Sequence, residues 1–138
     1  MKVDPYLSAK NVCLIDDDTT SNFLDARMIE SSMFAKKVAT HNYANIALEE
    51  LKQLLLHNAS EFPDIIFLDI KMPYMDGWQF LEELEKFPES VLRKCRVFIL
   101  SSSADPKDIE KSKTYKIVKG FIYKPLTFED LNKLRNSV

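Results

Sequence analysis

The chain has 138 residues, of which 46% are hydrophobic and 29% charged, so it is long enough to fold as one domain with a hydrophobic core. Its formal net charge of −2 is too balanced to indicate a nucleic-acid or membrane partner. Its only two glycines, Gly77 and Gly120, exclude the glycine-rich phosphate loops of dinucleotide-binding and P-loop proteins, which need several residues without a Cβ.

The first half of the chain predicts two strands, each followed by a helix. Residues 12–15 are a continuous apolar run, and Thr19 or Thr20 can cap a helix over residues 20–32. A weaker strand at residues 36–40 follows. The next helix is predicted by apolar residues spaced three and four apart, namely Ala44, Ala47, Leu48, Leu51, Leu54 and Leu55.

The second half continues the same alternation. Strands are predicted at residues 65–68, 97–100 and 121–123. Asp105 before Pro106 favours a helix start after the fourth strand, and Thr127 with Asp130 has the spacing of a capping box. The apolar positions that predict the third and last helices are Phe80, Leu81, Leu84 and Phe87, then Leu131 and Leu134.

Strands that are apolar throughout, rather than alternating, are typical of parallel sheets buried on both faces. The β-α order repeated five times therefore predicts an α/β domain with right-handed crossovers. Because no repeat, low-complexity tract or linker interrupts the pattern, we expect residues 1–138 to form a single domain without a separate output domain. Cys13 and Cys95 lie beside apolar runs and are expected to be free buried thiols.

Polar residues stand where four of the predicted strands end. Asp16 and Asp17 follow the first strand, Asp69 the third, Ser101 the fourth and Lys124 the fifth. In an open parallel sheet, ligands bind beyond the carboxyl ends of the strands, so these groups are expected to meet. Carboxylates at close range need a cation, and Mg²⁺ accepts one or two while keeping positions for phosphate oxygens. Asp69 is then placed to take a phosphoryl group as a carboxylate nucleophile.

Four stretches resemble the receiver domains of two-component response regulators. They are V-C-L-I-D-D at 12–17, I-I-F-L-D-I-K-M-P-Y-M-D-G at 65–77, V-F-I-L-S at 97–101 and G-F-I-Y-K-P at 120–125. The second stretch is the most specific. The resemblance covers essentially the whole chain, and it implies a stand-alone receiver with a flavodoxin-like (βα)5 doubly wound fold, in which a five-stranded parallel sheet has the order 2-1-3-4-5.

The resemblance also implies the roles of individual residues. Asp69 would be the phosphoacceptor, and the cation, Mg²⁺ or Mn²⁺, would be bound by Asp16, Asp17, Asp69 and the backbone carbonyl of Lys71. The remaining groups would be the switch hydroxyl of Ser101, the rotamer-switching ring of Phe121 and the phosphate-contacting amine of Lys124. Phe121 lacks the hydroxyl of the tyrosine often found there. Lys124-Pro125 resembles the cis-peptide site of the family, although trans is the default for such a bond.

One implied partner is a histidine kinase or phosphotransfer protein. The other is a downstream protein, and this downstream protein would bind a face made by the fourth helix, fifth strand and fifth helix. Whether phosphorylation also produces a homodimer stays open. The N-terminal residues have no secretion signal and no apolar run is long enough to cross a membrane, so we expect a cytoplasmic protein. It would be a phosphoacceptor switch and not an enzyme.

Two other functions use similar residues. A Mg²⁺-dependent phosphatase or phosphotransferase with an aspartyl-phosphate intermediate needs a second acid two residues after the nucleophile, where this chain has Lys71. A non-phosphorylated pseudo-receiver scaffold would not need the complete set of acids, hydroxyl and lysine. A lysine-rich segment is interpreted as a solvated face rather than a nucleic-acid site, because the chain has only four Arg and no aromatic stacking platform is interleaved with these lysines. The lysines are Lys107, Lys111, Lys113, Lys116 and Lys119.

Overall fold

The computed structural model describes residues 9–103 and 105–137, and in it five parallel strands form one sheet. The strands are β1 (Ala9–Ile15), β2 (Ala35–His41), β3 (Ile65–Leu68), β4 (Arg96–Ser101) and β5 (Val118–Tyr123). Their order across the sheet is β2-β1-β3-β4-β5. The predicted flavodoxin-like fold is therefore confirmed, and β2 and β5 are the edge strands.

The helices fall between the strands as predicted, with one addition. They are α1 (Thr19–Ser31), α2 (Ala44–His57), α3 (Gly77–Leu84), α4 (Glu89–Leu92), α5 (Pro106–Ser112) and α6 (Phe128–Ser137), with a 3₁₀ turn at Ala59–Glu61. The short helix α4 was not predicted, because Phe87 shares the apolar spacing of α3 although α3 ends at Leu84. The helices counted as fourth and fifth from the sequence are α5 and α6 here.

Side-chain caps were predicted from the sequence at the start of three helices, α1, α5 and α6. The expected Thr19 or Thr20 cap of α1 is wrong, because the carboxylate of Asp18 accepts from the backbone N–H groups of Thr20 and Ser21 at 2.9 and 3.1 Å. Asp105 caps α5 through the N–H of Lys107, as predicted. For α6, the predicted pairing is also confirmed by reciprocal bonds of 3.0 and 3.1 Å between Thr127 and Asp130.

The two faces of the sheet carry separate apolar clusters. One cluster packs α2 and α3 on strand residues such as Ile15, Leu68 and Ile99, and the other packs α1 and α6 on Leu14, Phe67 and their neighbours. Cys13 and Cys95 are buried free thiols, as predicted, and burial raises the pKa of each to about 12. Neither thiol is ionised near neutral pH, so both act as small core residues.

Trp78 connects α3 to the segment that leads from β4 to β5. Its buried indole stacks on Tyr115, with ring centroids 5.8 Å apart and an interplanar angle of 16°. The ammonium of Lys111 lies 4.9 Å from the centre of the indole ring. Trp78 therefore packs between α3 and the segment of α5 and Tyr115. The five lysines listed above are exposed. Among the helices of residues 9–103 and 105–137, none has the length and apolar character needed to cross a membrane.

Candidate functional site

The carboxyl ends of the strands place acidic groups at one edge of the sheet. Asp16 follows β1 and Asp69 follows β3, and both are buried, whereas Asp17 is exposed. One carboxylate oxygen from each of Asp16, Asp17 and Asp69 lies within 4.8 Å of the others. The convergence predicted from parallel strand ends is thus present in the geometry.

Asp16 is held by backbone and amide contacts that sequence reasoning missed. Its N–H donates to the carbonyl of His41 at 3.0 Å. Its own carbonyl accepts from the side-chain amides of Asn22, at 2.9 Å, and Asn42, at 3.2 Å. Because Asn22 also donates to the His41 carbonyl at 3.0 Å, this one amide ties α1 to the ends of β1 and β2. Apolar periodicity gives no signal for this contact, because it favours burial of Phe23 and Leu24 rather than of Asn22.

Lys124 is the cation of the cluster. Its Nζ lies 2.5 Å from Oδ2 of Asp16 and 3.5 Å from Oδ2 of Asp69. Burial alone would lower the pKa of the Lys124 amine, but the hydrogen bond to Asp16 and the charges of Asp69 and Asp16 outweigh it, so the pKa is raised. The Lys124-Pro125 bond is cis, as at the family site that it resembles, which answers the question that the sequence left open.

The charge of Lys124 does not fully offset the effects that raise the pKa of the Asp69 carboxyl. Burial raises the pKa of its carboxyl to about 6, the charges of Asp16 and Asp17 add to the increase, and Lys124 opposes it. Near neutral pH the carboxylate is mostly ionised, as a nucleophile must be. A further cation would relieve the repulsion among the three acids.

The donor set fits a hard divalent cation. Three carboxylate oxygens within 4.8 Å of one another suit Mg²⁺ or Mn²⁺, which prefer oxygen ligands and retain waters at the remaining positions. Lys71 and Asp17 line the same open cavity of about 500 Å³ beside these acids, on the side of Met72 and Pro73. Lys71 therefore lies on the same side of the cluster as the exposed acid, Asp17.

The loop after Asp69 is closed by a short backbone contact. The N–H of Gly77 donates to the carbonyl of Ile70 at 2.8 Å, and Asp76 forms a capping box with Gln79 at the start of α3. Tyr74 has a φ of 68°, a left-handed conformation uncommon for a residue with a Cβ, and its ring centroid lies 5.8 Å from that of Tyr43. The aromatic pair links the loop that follows Asp69 to the loop after β2.

Ser101 is the last residue of β4, and Phe121 lies in the neighbouring strand β5. Ser101 is buried at the end of β4, and its hydroxyl oxygen accepts from the N–H of Ser103 at 3.1 Å. Its carbonyl accepts from the N–H of Lys124 at 2.9 Å, so Ser101 and Lys124 are neighbours through the backbone. Phe121 is partly buried and packs against the cluster that contains Ile99.

Asp25 is a buried acid of α1 that sequence reasoning did not single out. It lies one turn after Asn22 on the buried face of the helix. Burial raises the pKa of its carboxyl from the ordinary 3.8 to about 6, the charge of Asp16 adds to the increase, and Lys124 opposes it. Asp25 therefore adds a further negative charge behind the three-acid cluster at neutral pH.

Replacing Asp25 with asparagine should raise the free energy of unfolding by about 1 kcal/mol at pH 7.5. The unfolded carboxyl ionises near 3.8 and the folded one only near 6, so ionised Asp25 opposes folding. This penalty is absent below about pH 4 and complete above about pH 7. Urea unfolding of wild type and Asp25→Asn between pH 4 and 8 should show a gain that grows with pH, and Glu30→Gln, at an exposed position of α1, should show none. A loss of stability at pH 7.5 would contradict the assignment of Asp25 as a destabilising charge.

Comparison with known proteins extends the resemblance seen in the motifs. The family model of the response regulator receiver domain matches residues 12–136. A probable methanogenesis regulatory protein of Methanothrix harundinacea is 26% identical over 94% of this chain and 79% of its own length. A two-component response regulator of Arabidopsis thaliana is 29% identical over 96% of this chain, which spans only 20% of that relative.

Solved structures show the same architecture. The crystal structure of a two-component response regulator from Cytophaga hutchinsonii superposes with a TM-score of 0.85 and 33% sequence identity, covering 94% of this chain and 96% of that one. A receiver protein from Dyadobacter fermentans gives a TM-score of 0.81 with 28% identity over 94% and 97% of the two chains. The family model matches nearly the whole length of this chain. The chain therefore belongs to the receiver-domain family of two-component response regulators.

Proposed function

We propose that this receiver takes a phosphoryl group onto Asp69 from a phosphohistidine of a histidine kinase or phosphotransfer protein, and that the modification switches its surface for a protein partner. The observation that carries the proposal is the position of Lys124, whose ammonium lies 2.5 Å from Asp16 and 3.5 Å from Asp69. The buried carboxylate of Asp69 lies beside two other acids, Asp16 and Asp17, and beside a lysine. These are the charges that phosphoryl transfer needs. Under this proposal the chain is a phosphoacceptor, and not an enzyme that turns over a separate substrate.

The chemistry of transfer follows from the groups around Asp69. A carboxylate oxygen of Asp69 attacks phosphorus, the bond from phosphorus to the imidazole nitrogen breaks, and that nitrogen keeps the electron pair. A bound divalent cation would neutralise charge on the phosphoryl oxygens. Asp16 and Asp17 would hold that cation, and Lys124 would move its hydrogen bond from Asp16 or Asp69 to a phosphoryl oxygen.

Ser101 and Phe121 would convert the new charge into a change of shape. The Ser101 hydroxyl already accepts from Ser103, so its hydrogen is available to donate to a phosphoryl oxygen. Its movement would open space at the end of β4, into which the ring of Phe121 can turn. The surface expected to respond is made by α5, β5 and α6, because Phe121 lies in β5 between these helices.

Incubation with a small acyl phosphate or phosphoramidate and Mg²⁺ tests the proposal. Wild type should gain one alkali-labile phosphoryl group, detected by intact mass, and Asp69→Ala should gain none. Asp105→Asn is the matched control, because this exposed acid at the same edge of the sheet caps α5 and asparagine preserves the cap. Unchanged labelling of Asp69→Ala would overturn the assignment of the acceptor.

A further inference from the structure

Two aromatic side chains follow each other along one face of β5. The ring centroids of Phe121 and Tyr123 are 5.7 Å apart and their planes meet at 61°, an edge contact. In the register of β4 with β5, Phe121 is paired with Ile99, and Tyr123 is paired with Ser101. Because paired residues of neighbouring strands project from the same face, Tyr123 stands directly beside the switch hydroxyl.

Tyr123 also adjoins Lys124, so three groups of the proposed switch surround it. The N–H of Lys124 donates to the Ser101 carbonyl at 2.9 Å, which fixes the backbone of Tyr123 against the end of β4. No strand flanks β5 on its outer side within the described sheet, and the Tyr123 side chain is 50% exposed. Phe121 is less exposed and packs against the cluster that contains Ile99. The edge contact therefore joins a more exposed ring to a less exposed one.

We propose that Tyr123 is a positioning residue of the switch, and that its ring holds Phe121 in the position seen here. The inference rests on the proposed function, in which Phe121 turns into the space that Ser101 leaves. The turn carries the Phe121 ring out of the position in which it meets the ring of Tyr123, so the edge contact seen here is lost. A contact present in only one of two states favours that state, and Tyr123 therefore opposes switching until Asp69 is phosphorylated.

The contact belongs to the ring and not to the hydroxyl, which gives a matched pair of variants. Tyr123→Ala removes the ring, and Tyr123→Phe keeps it. Beryllofluoride with Mg²⁺ serves as the phosphoryl analogue on the full chain. Binding is followed by the fluorescence of Trp78, the only tryptophan of the sequence, which lies beside the acceptor loop, and by the ligand-induced rise in Tm.

Tyr123→Ala should bind beryllofluoride about 3- to 10-fold more tightly than wild type, because the switched state no longer loses an aromatic contact. Tyr123→Phe should stay within about twofold of wild type. Tyr123→Leu, which keeps bulk without an aromatic edge, should shift in the same direction as Tyr123→Ala. Unchanged or weaker binding by both the alanine and leucine variants overturns the proposal, as does a phenylalanine variant that behaves like alanine.

Further measurements distinguish a failure of this inference from a failure of the proposed function. In a Phe121→Ala background, Tyr123→Ala should have no further effect, and an effect that persists there overturns the role of the contact. The affinity for Mg²⁺ alone should be unchanged by Tyr123→Ala, and a parallel change would place the effect on the acids and overturn the inference. A wild-type protein that shows no Mg²⁺-dependent response to beryllofluoride overturns the proposed function itself, and the inference with it.

Discussion

Gly77→Ala should lower the free energy of unfolding by about 2–3 kcal/mol, while Gly120→Ala should change it by less than about 1 kcal/mol. A Cβ built on Gly77 would lie 2.7 Å from the carbonyl oxygen of Asp69 and 2.8 Å from the Cα of Ile70. Both contacts are with backbone, which cannot rotate away. Neither glycine has a positive φ, so the difference comes from space and not from backbone conformation.

Gly120 is the matched control because its neighbour can move. The Cβ there would lie 3.0 and 3.3 Å from two ring carbons of Phe98, a side chain that can shift by a few tenths of an ångström. The reduced freedom of the unfolded chain would offset part of that strain, by about 0.4–1 kcal/mol. Urea unfolding of the two variants measures the comparison, and equal losses would contradict it.

The effect at Gly77 should extend to the acid cluster. The Gly77 N–H bonds the Ile70 carbonyl at 2.8 Å, so displacing Gly77 moves the residue that directly follows Asp69. Because the three carboxylates must point at one cation, a displaced Asp69 should weaken Mg²⁺ binding in Gly77→Ala and leave it unchanged in Gly120→Ala. Mg²⁺ titration followed by Trp78 fluorescence measures both affinities.

The convergence of Asp16, Asp69 and Lys124 could be predicted because it depends only on strand direction. Each follows a strand of one parallel sheet, and the carboxyl ends of such strands share an edge whatever the side-chain packing. The contacts that orient Asp16 could not be predicted in the same way. They come from Asn22 and Asn42, and they depend on how α1 is rotated and on the path of the loop after β2.

The residues of helix α1 show why its rotation about the helix axis could not be predicted from the sequence. Its buried face includes the polar residues Asn22 and Asp25, whereas Phe23 and Leu24 are about 60% exposed. Apolar periodicity would turn the helix the other way and would take these two side chains into the core. The polar face is buried because it lies against the acidic site, so the element that departs from the pattern is one that serves the site.

The neighbours of Tyr123 across the sheet also could not be predicted from the sequence. The pairing of β4 with β5 shifts register between Val97 and Phe98, so the residue opposite Ser101 cannot be counted from the strand starts. The short helix α4 was missed for a related reason. Its four residues, after Pro88, are too few to show a periodicity.

Lys124→Met should lower the free energy of unfolding by about 2–4 kcal/mol at pH 7.5 without divalent cations. The variant leaves the buried carboxylates of Asp16 and Asp69 facing each other, with Asp25 behind them and no ammonium between them. Lys113→Met is the matched control. Its ion pair with Glu110 at 3.3 Å is exposed, so its loss should cost less than about 0.5 kcal/mol.

The dependence of this loss on pH and Mg²⁺ identifies its cause. The pKa of Asp69 is raised to about 6, and without Lys124 it should rise further, so the carboxyl takes up a proton as the pH falls to 5 and the repulsion weakens. The destabilisation should therefore be smaller at pH 5 than at pH 7.5. Mg²⁺ at pH 7.5 should stabilise Lys124→Met more than wild type, because it no longer competes with an ammonium for Asp16 and Asp69. A loss independent of both pH and Mg²⁺ would mean that Lys124 acts through the packing of its methylene chain, and not as the counter-charge of the two acids.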